Sequence, residues 1–203
     1  KTMVDSDGLI KWAPHNLLTY SEEFDNADWN KNNILAFGSG SIVDATISPD
    51  GTQTAEFIVE DTASAAHFLY PTGGIAVSDG TYTFSIYVKA AGRSVVVITM
   101  QESTNGNSAY AIFNLSTETS SSFNGLTGAN TTSSITSVGD NWFKCVIKTD
   151  VNNSPLYPVF CLSDSASPSL NISNRPEYTG DGTSGIYIWG AHLYRSDLGG
   201  MVD

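Results

Sequence analysis

The segment TYTFSIYVKA, Thr81–Ala90, decides the fold. Tyr82, Phe84, Ile86 and Val88 recur at every second position, and Thr83, Ser85, Tyr87 and Lys89 fill the places between. Successive side chains of a strand point to opposite faces, so the first set belongs in a core. The second set is half polar and faces water or a ligand. The same period runs through NWFKCVIKT (141–149), with Phe143, Cys145 and Ile147 inward and Trp142, Lys144 and Lys148 outward. In GIYIWGAHL (185–193), Ile186, Ile188, Gly190 and His192 alternate with Tyr187, Trp189, Ala191 and Leu193. The second of these sets is larger, so it is assigned to the core, Trp189 included. Trp29 and Trp142, at loop–strand junctions, are read as core or rim packing.

Working outward, further strand-like runs are separated by Gly, Asn, Asp and Ser clusters. They are Asn16–Tyr20, Gln53–Val59, Ala66–Tyr70, Gly80–Ala90, Ser94–Gln101, Ala109–Leu115, Ser133–Val138, Trp142–Thr149, Leu156–Leu162 and Gly185–Tyr194. Only Ser21–Asn30 suggests a short helix or turn, with Ser21 as its N-cap. The Ser/Thr-rich stretch Ser116–Ser134 reads as an edge hairpin or mobile flap. Runs of this kind stack as two antiparallel sheets, which makes the chain an all-β sandwich or jelly roll.

Composition agrees. Of 203 residues, 40% are apolar and only 15% charged, so the long charged side chains of exposed helices are scarce. Nine Lys and Arg stand against 21 Asp and Glu, a net charge of −12. A nucleic-acid partner needs a basic footprint, and a polybasic membrane contact needs one too; neither exists here. The acidity is compatible with Ca²⁺. No apolar run is long enough to span a bilayer, and no signal-peptide pattern opens the chain. Residues 1–15 read as a connector, 16–195 as one module and 196–203 as a second connector, with both ends read as cuts from a longer polypeptide. Cys145 and Cys161 match no zinc spacing and read as buried thiols in neighbouring strands, with a disulfide as the alternative.

Signs of catalysis are missing. His15, His67 and His192 are the only histidines, and no GxSxG elbow accompanies them. Glu56 and Glu60 share a strand face but nothing marks them as an acid pair, and Glu102 stands at a strand end. No glycine-rich phosphate loop precedes a helix. In YTGDGTSG (178–185), the Asp181-Gly182 pair reads as a β-turn feeding the last strand.

The order NLLTYSEEFDNADW, PDGTQTAEF, YTFSIYVKAAG, VGDNWFKCVIKT, GIYIWGAHLY resembles carbohydrate-binding modules of the family 4/9 and 22 type. NLLTYSEEFDNADWNK and YTGDGTSGIYIWGAHL look more like the variant found in bacteriophage tail and virion-surface proteins. The resemblance covers about Asn16 to Tyr194. It implies a jelly roll with one concave sheet, non-catalytic glycan binding, a structural Ca²⁺ near the first and last strands, and host attachment from a virion surface. It implies an extracellular place and, through a parent protein, a homo-oligomer. Where the family carries acids after Tyr-Ile in the last strand, this chain has Trp189 and Gly190.

Sugars offer C–H faces to aromatic rings and hydroxyls to paired donors and acceptors. Tyr87, Ser85 and Lys89 fit this on the non-core face of one strand, Gln101 and Tyr110 lie on adjacent runs, and Tyr70 beside His67 adds a platform. Asp25 matches the acidic position of the family's first motif, with Glu23 and Asp28 close by, and these are the metal candidates. A structural spacer in a phage fibre and an accessory module of a glycoside hydrolase are the alternative readings.

Overall fold

The structure, a computed structural model, describes residues 2–4, 10–12, 15–102, 108–124, 130–152 and 155–197. The expected end connectors, 1–15 and 196–203, lie largely outside these residues. In chain order the strands are β1 Thr2–Val4, β2 Ile10–Trp12, β3 Trp29–Asn32, β4 Ile42–Thr46, β5 Ala55–Val59, β6 Ser64–Ala65, β7 Phe68–Pro71 and β8 Gly80–Ala91. They continue as β9 Val95–Glu102, β10 Ser108–Asn114, β11 Thr119–Phe123, β12 Thr132–Gly139, β13 Trp142–Val151, β14 Leu156–Ser163, β15 Tyr178–Thr179 and β16 Gly185–Arg195.

Two six-stranded sheets form the body of the protein. The first runs β11-β10-β9-β14-β7-β3 and the second β12-β13-β8-β16-β5-β4. Every ladder between these strands is antiparallel. Consecutive strands cross between sheets, as in β7 to β8 to β9 and β13 to β14 to β16, which is the connectivity of a jelly-roll sandwich. Inner-face residues of both sheets meet in one core that includes Phe84, Ile86, Ile98, Met100, Phe113, Ile147, Phe160 and Leu193. Burial of this contiguous apolar surface is the main force holding the sheets together.

β8 buries Tyr82, Phe84, Ile86 and Val88 as its alternation requires. β16 departs from the simple reading. Its register shifts between Trp189 and His192, and Gly190 takes the left-handed conformation at φ +61°. A bulge inserts one residue and reverses the parity of everything after it. Ile186 and Ile188 are therefore core before the bulge, and Ala191 and Leu193 after it. Tyr187 and Trp189 face outward, which corrects their assignment to the core. Trp142 does point outward from β13, yet it is 2% exposed. The segment after β4 covers it, and its Nε1 donates to the Ile47 carbonyl at 3.1 Å.

Asn16–Tyr20 is not a strand. Asn16 in this segment reaches β16 with its side chain: its Oδ1 accepts from Leu193 N at 3.0 Å and its Nδ2 donates to Ala191 O at 2.9 Å. The amide thus satisfies Leu193 N and Ala191 O, while Leu17 N donates to Leu193 O at 2.8 Å and Ala191 N to Ser21 O at 2.9 Å. Ser21–Asn30 forms successive turns closed by Glu23 N, Asn26 N and Trp29 N, and no helix. Ser116–Ser134 is not one hairpin: β11 closes an edge hairpin with β10 in the first sheet, β12 pairs with β13 at the edge of the second, and Ser133 Oγ meets Ser120 Oγ at 3.1 Å along the sandwich side. Residues 125–129 lie outside the described residues. Cys145 and Cys161 are free and buried. Their strands belong to different sheets, and burial raises both thiol pKa values, Cys161 to about 12.

Candidate functional site

The structure divides the sequence-predicted sugar contacts between two faces. Ser85, Tyr87 and Lys89 stand on the outer face of the second sheet. Tyr70 on β7, Gln101 on β9 and Tyr110 on β10 stand on the first. The whole sandwich lies between the two groups. Periodicity gives the side of a strand but not the sheet it joins, and the chain changes sheet on either side of β8.

On the first sheet a cleft of about 290 Å³ is lined by Tyr70, Gln101, Tyr157 and Arg175. The β14–β9 register sets Tyr157 opposite Gln101. Tyr70 approaches Tyr157 edge-on, with ring centroids 6.1 Å apart at 68°. The Gly73–Gly74 turn seats the Tyr157 ring: a Cβ on Gly74 would fall 2.6 Å from it, and Gly74 has φ +69°. Arg175 comes from the loop between β14 and β15, which folds back over the sheet. Asn171 Oδ1 accepts from Ser173 N and Arg175 N at 2.9 and 3.2 Å. Asn174 Nδ2 reaches Ser108 Oγ at 2.7 Å, and Thr99 Oγ1 donates to Asn174 O at 3.1 Å. The loop thus covers Thr99 and delivers Arg175 to the cleft. There the guanidinium lies 4.1 Å from the Phe68 ring centroid and donates from Nη2 to Gln101 Oε1 at 2.7 Å. Arg175 Nε is buried without a hydrogen-bond partner.

Tyr110 lies beyond that loop, in a separate cleft of about 460 Å³ with Ile112, Phe123, Pro168 and Leu170. It stacks on Phe123 at 4.7 Å and 13°. His67 does not reach either cleft. It is wholly buried, with Nδ1 2.8 Å from Asn33 O and its ring 4.7 Å from Tyr178, and β7 begins only at Phe68. Sequence reasoning missed Tyr157 and Arg175. Tyr157 was legible as the outward residue of LYPVF, while Arg175 sits in a loop whose path no periodicity reveals.

On the second sheet, Lys144, Tyr87 and Trp189 are in register across β13, β8 and β16. A smaller cleft of about 230 Å³ here is lined by Ser85, Tyr87, Lys144, Trp189, His192 and Asn16, with Glu22 on its wall. Lys89 is not part of it. Lys89 lies 6.0 Å from the Trp142 ring centroid and lines a neighbouring cleft.

Asp25, Glu23 and Asp28 are all exposed, and among the described residues no group of three His, Cys, Asp or Glu converges to hold a metal. The Lys31 ammonium occupies the carbonyls of this turn, 3.0 Å from Asp25 O and 2.7 Å from Asn26 O. Those oxygens are the hard donors a calcium ion needs, so the residues present do not fit one. Buried Glu56 lies close by, and desolvation and the Asp25 charge push its pKa up to about 8.

The turn before β16 is built around Glu60, which is wholly buried. It accepts from Arg93 Nε at 2.8 Å, from Arg93 Nη2, from Tyr178 Oη at 2.6 Å and from Asp181 N at 2.9 Å. Burial opposes its charge, but these bonds outweigh it and hold the carboxyl below its ordinary value. Asp181 caps the turn through Thr183 N and Ser184 N at 2.8 and 2.6 Å, and these bonds depress its pKa. Both carboxylates are structural.

No family model and no curated protein matches the chain. Among solved structures it is similar to the bacteriophage CBA120 tailspike protein 4 enzymatically active domain, at 11% identity over 89% of this chain and 21% of that one, with a TM-score of 0.45. It is also similar to the CBM22-1–GH10 modules of Clostridium thermocellum endo-1,4-beta-D-xylanase 10B in complex with xylohexaose, at 13% identity over 90% and 29%, with a TM-score of 0.45. A third is a candidate sugar-binding protein from Bacteroides thetaiotaomicron VPI-5482, at 16% identity over 90% and 94%, with a TM-score of 0.37. The chain spans less than a third of the first two proteins.

Proposed function

We propose that this chain is a non-catalytic carbohydrate-binding module whose glycan lies against Tyr70 and Tyr157, with Gln101 and Arg175 reading its hydroxyls. The observation that carries this reading is the cleft's composition. Two tyrosine rings offer apolar faces, Gln101 an amide, and Arg175 an unused Nε donor. Aromatic surface beside planar polar groups is the chemistry a pyranose ring requires. Among the described residues no carboxylate lines the cleft, so they offer no acid–base pair for hydrolysis there. The motif order of the sequence supports placing the module on the surface of a phage virion or tail protein, binding host-surface glycan outside the cell, with any oligomer formed through its parent.

A structural spacer role draws on a different observation. Ile42, Val43 and Ile47, on and just after edge strand β4, are each more than 40% exposed, and such an edge suits packing against other protein. An array of bacterial surface glycans, probed with the wild-type protein and Tyr157→Ala, separates the two. Binding lost in the variant supports the module. No binding by the folded wild-type protein supports the spacer.

A further inference from the structure

We infer that the cleft on the second sheet is an independent binding site for a carboxylated sugar, with Tyr87 and Trp189 as the platform and Lys144 as the anion contact. It lies on the opposite side of the sandwich from the Tyr70 cleft and shares no residue with it.

The bulge at Gly190 makes the site. Before it, β16 presents Trp189 outward; after it, His192 takes the outward position beside Ser85. The Tyr87 and Trp189 rings lie 5.3 Å apart at 57°, forming a corner, and Trp189 Nε1 is fixed by Thr54 Oγ1 at 3.0 Å. Gly190 passes so close that a Cβ there would lie 3.2 Å from the Tyr87 ring. Ser85, almost wholly buried, forms part of the floor. A rigid aromatic corner with a hydroxyl at its base suits the C–H face and edge of one sugar ring.

Charge points to the class of sugar. The chain has only nine Lys and Arg among 21 acids, and Arg93 and Arg195 are both paired with carboxylates. Lys144 is not. Its ammonium lies 5.9 Å from the Tyr87 ring centroid, and among the described residues no carboxylate lies within ion-pair distance. The outward positions of β8, β13 and β16 carry Lys89, Lys144 and Lys148. The one acid among them, Asp150 at the rim, is bonded to Thr81 and Asn130. In so acidic a protein this is a local excess of positive charge around an aromatic corner. His192, which lines the cleft, adds a second observation: its Nε2 is buried with no hydrogen-bond partner. An unpaired buried nitrogen is costly unless a ligand satisfies it. A pyranose carrying a carboxylate meets the rings with its C–H face, Lys144 with its charge and His192 with a ring or carboxylate oxygen. Glu22, exposed on the cleft wall, sets a limit by disfavouring a second negative group.

The test is an NMR titration of the intact chain with glucuronic acid, N-acetylneuraminic acid and glucose, each to about 20 mM, the weak range typical of single-sugar contacts. The Trp189 indole N–H reports the site. The inference expects at least one acidic sugar to shift this signal, glucose to shift it much less, and Lys144→Gln to weaken the acidic sugar about tenfold while leaving the spectrum folded. Arg175→Gln should leave this titration unchanged, which separates the outcome from the fate of the Tyr70 cleft. An unmoved Trp189 indole with both acids, an equal response to glucose, or unchanged binding in Lys144→Gln each overturns the inference.

Discussion

Replacing Glu60 with glutamine preserves volume and removes one charge from a wholly buried carboxylate that accepts four hydrogen bonds. Its two oxygens each accept two bonds. Oε1 takes Arg93 Nη2 and Asp181 N, and Oε2 takes Arg93 Nε and Tyr178 Oη. The glutamine amide nitrogen must replace one of them, and on either side it faces an Arg93 donor. The Arg93 bond on that side is lost at minimum, since a guanidinium cannot accept from the amide as the Tyr178 hydroxyl can, and the guanidinium loses its counter-charge. Hydrogen bonds to charged groups contribute about 1.5–3 kcal/mol each, and relaxation recovers part of that, so the expected loss is about 3 kcal/mol. Urea unfolding should show this as a lower midpoint with an unchanged m-value. The difference should depend on pH in one direction. Native Glu60 holds its proton less readily than the ordinary value of 4.5, so its contribution is complete above about pH 4.5. It is lost as pH falls through the native value. Wild type and Glu60→Gln should therefore converge in acid. A loss below about 0.5 kcal/mol at neutral pH, the scale of ordinary surface substitutions, or a gap that widens in acid would refute the reasoning.

Three further outcomes are expected. Gly190→Ala forces a side chain into φ +61° and against the Tyr87 ring, so thermal melts should show about 1–2 kcal/mol of lost stability, with a changed Trp189 environment in fluorescence. Lys31→Met removes the ammonium from the Asp25 and Asn26 carbonyls and should cost about 1–2 kcal/mol by the same melts, whereas calcium or chelator should leave the wild-type midpoint in place. Cys145 and Cys161, buried and raised in pKa, should resist a thiol reagent in the native protein and react on unfolding.

Much of this fold is legible in sequence because half-buried strands write their faces at period two. Tyr82 to Val88 declare the core directly, and most strand runs lie within a few residues of where periodicity puts them. β3, β4 and β11 are not legible. WNKN and TSSSF lack an apolar alternation, since these strands pair at or near sheet edges. Gly190 in IYIWGAHL was a readable sign of a bulge, because an isolated glycine in a strand often marks one. Taking it so places Trp189 outside. The site was only half legible. Tyr70 and Gln101 sit on strands and show their outward parity, but which sheet each strand joins depends on long-range pairing that no local pattern records. Arg175 depends on a loop held by Asn171 and Asn174, and its path exists only in three dimensions.

The central claim is that the Tyr70–Tyr157 cleft binds glycan through Arg175. The most direct measurement is calorimetric titration of the best array glycan into wild type and Arg175→Gln. The account predicts at least about a tenfold weaker affinity in the variant, the loss expected for one charge-assisted contact, with Lys144→Gln unaffected when that glycan is neutral. Equal affinity in wild type and Arg175→Gln would contradict it.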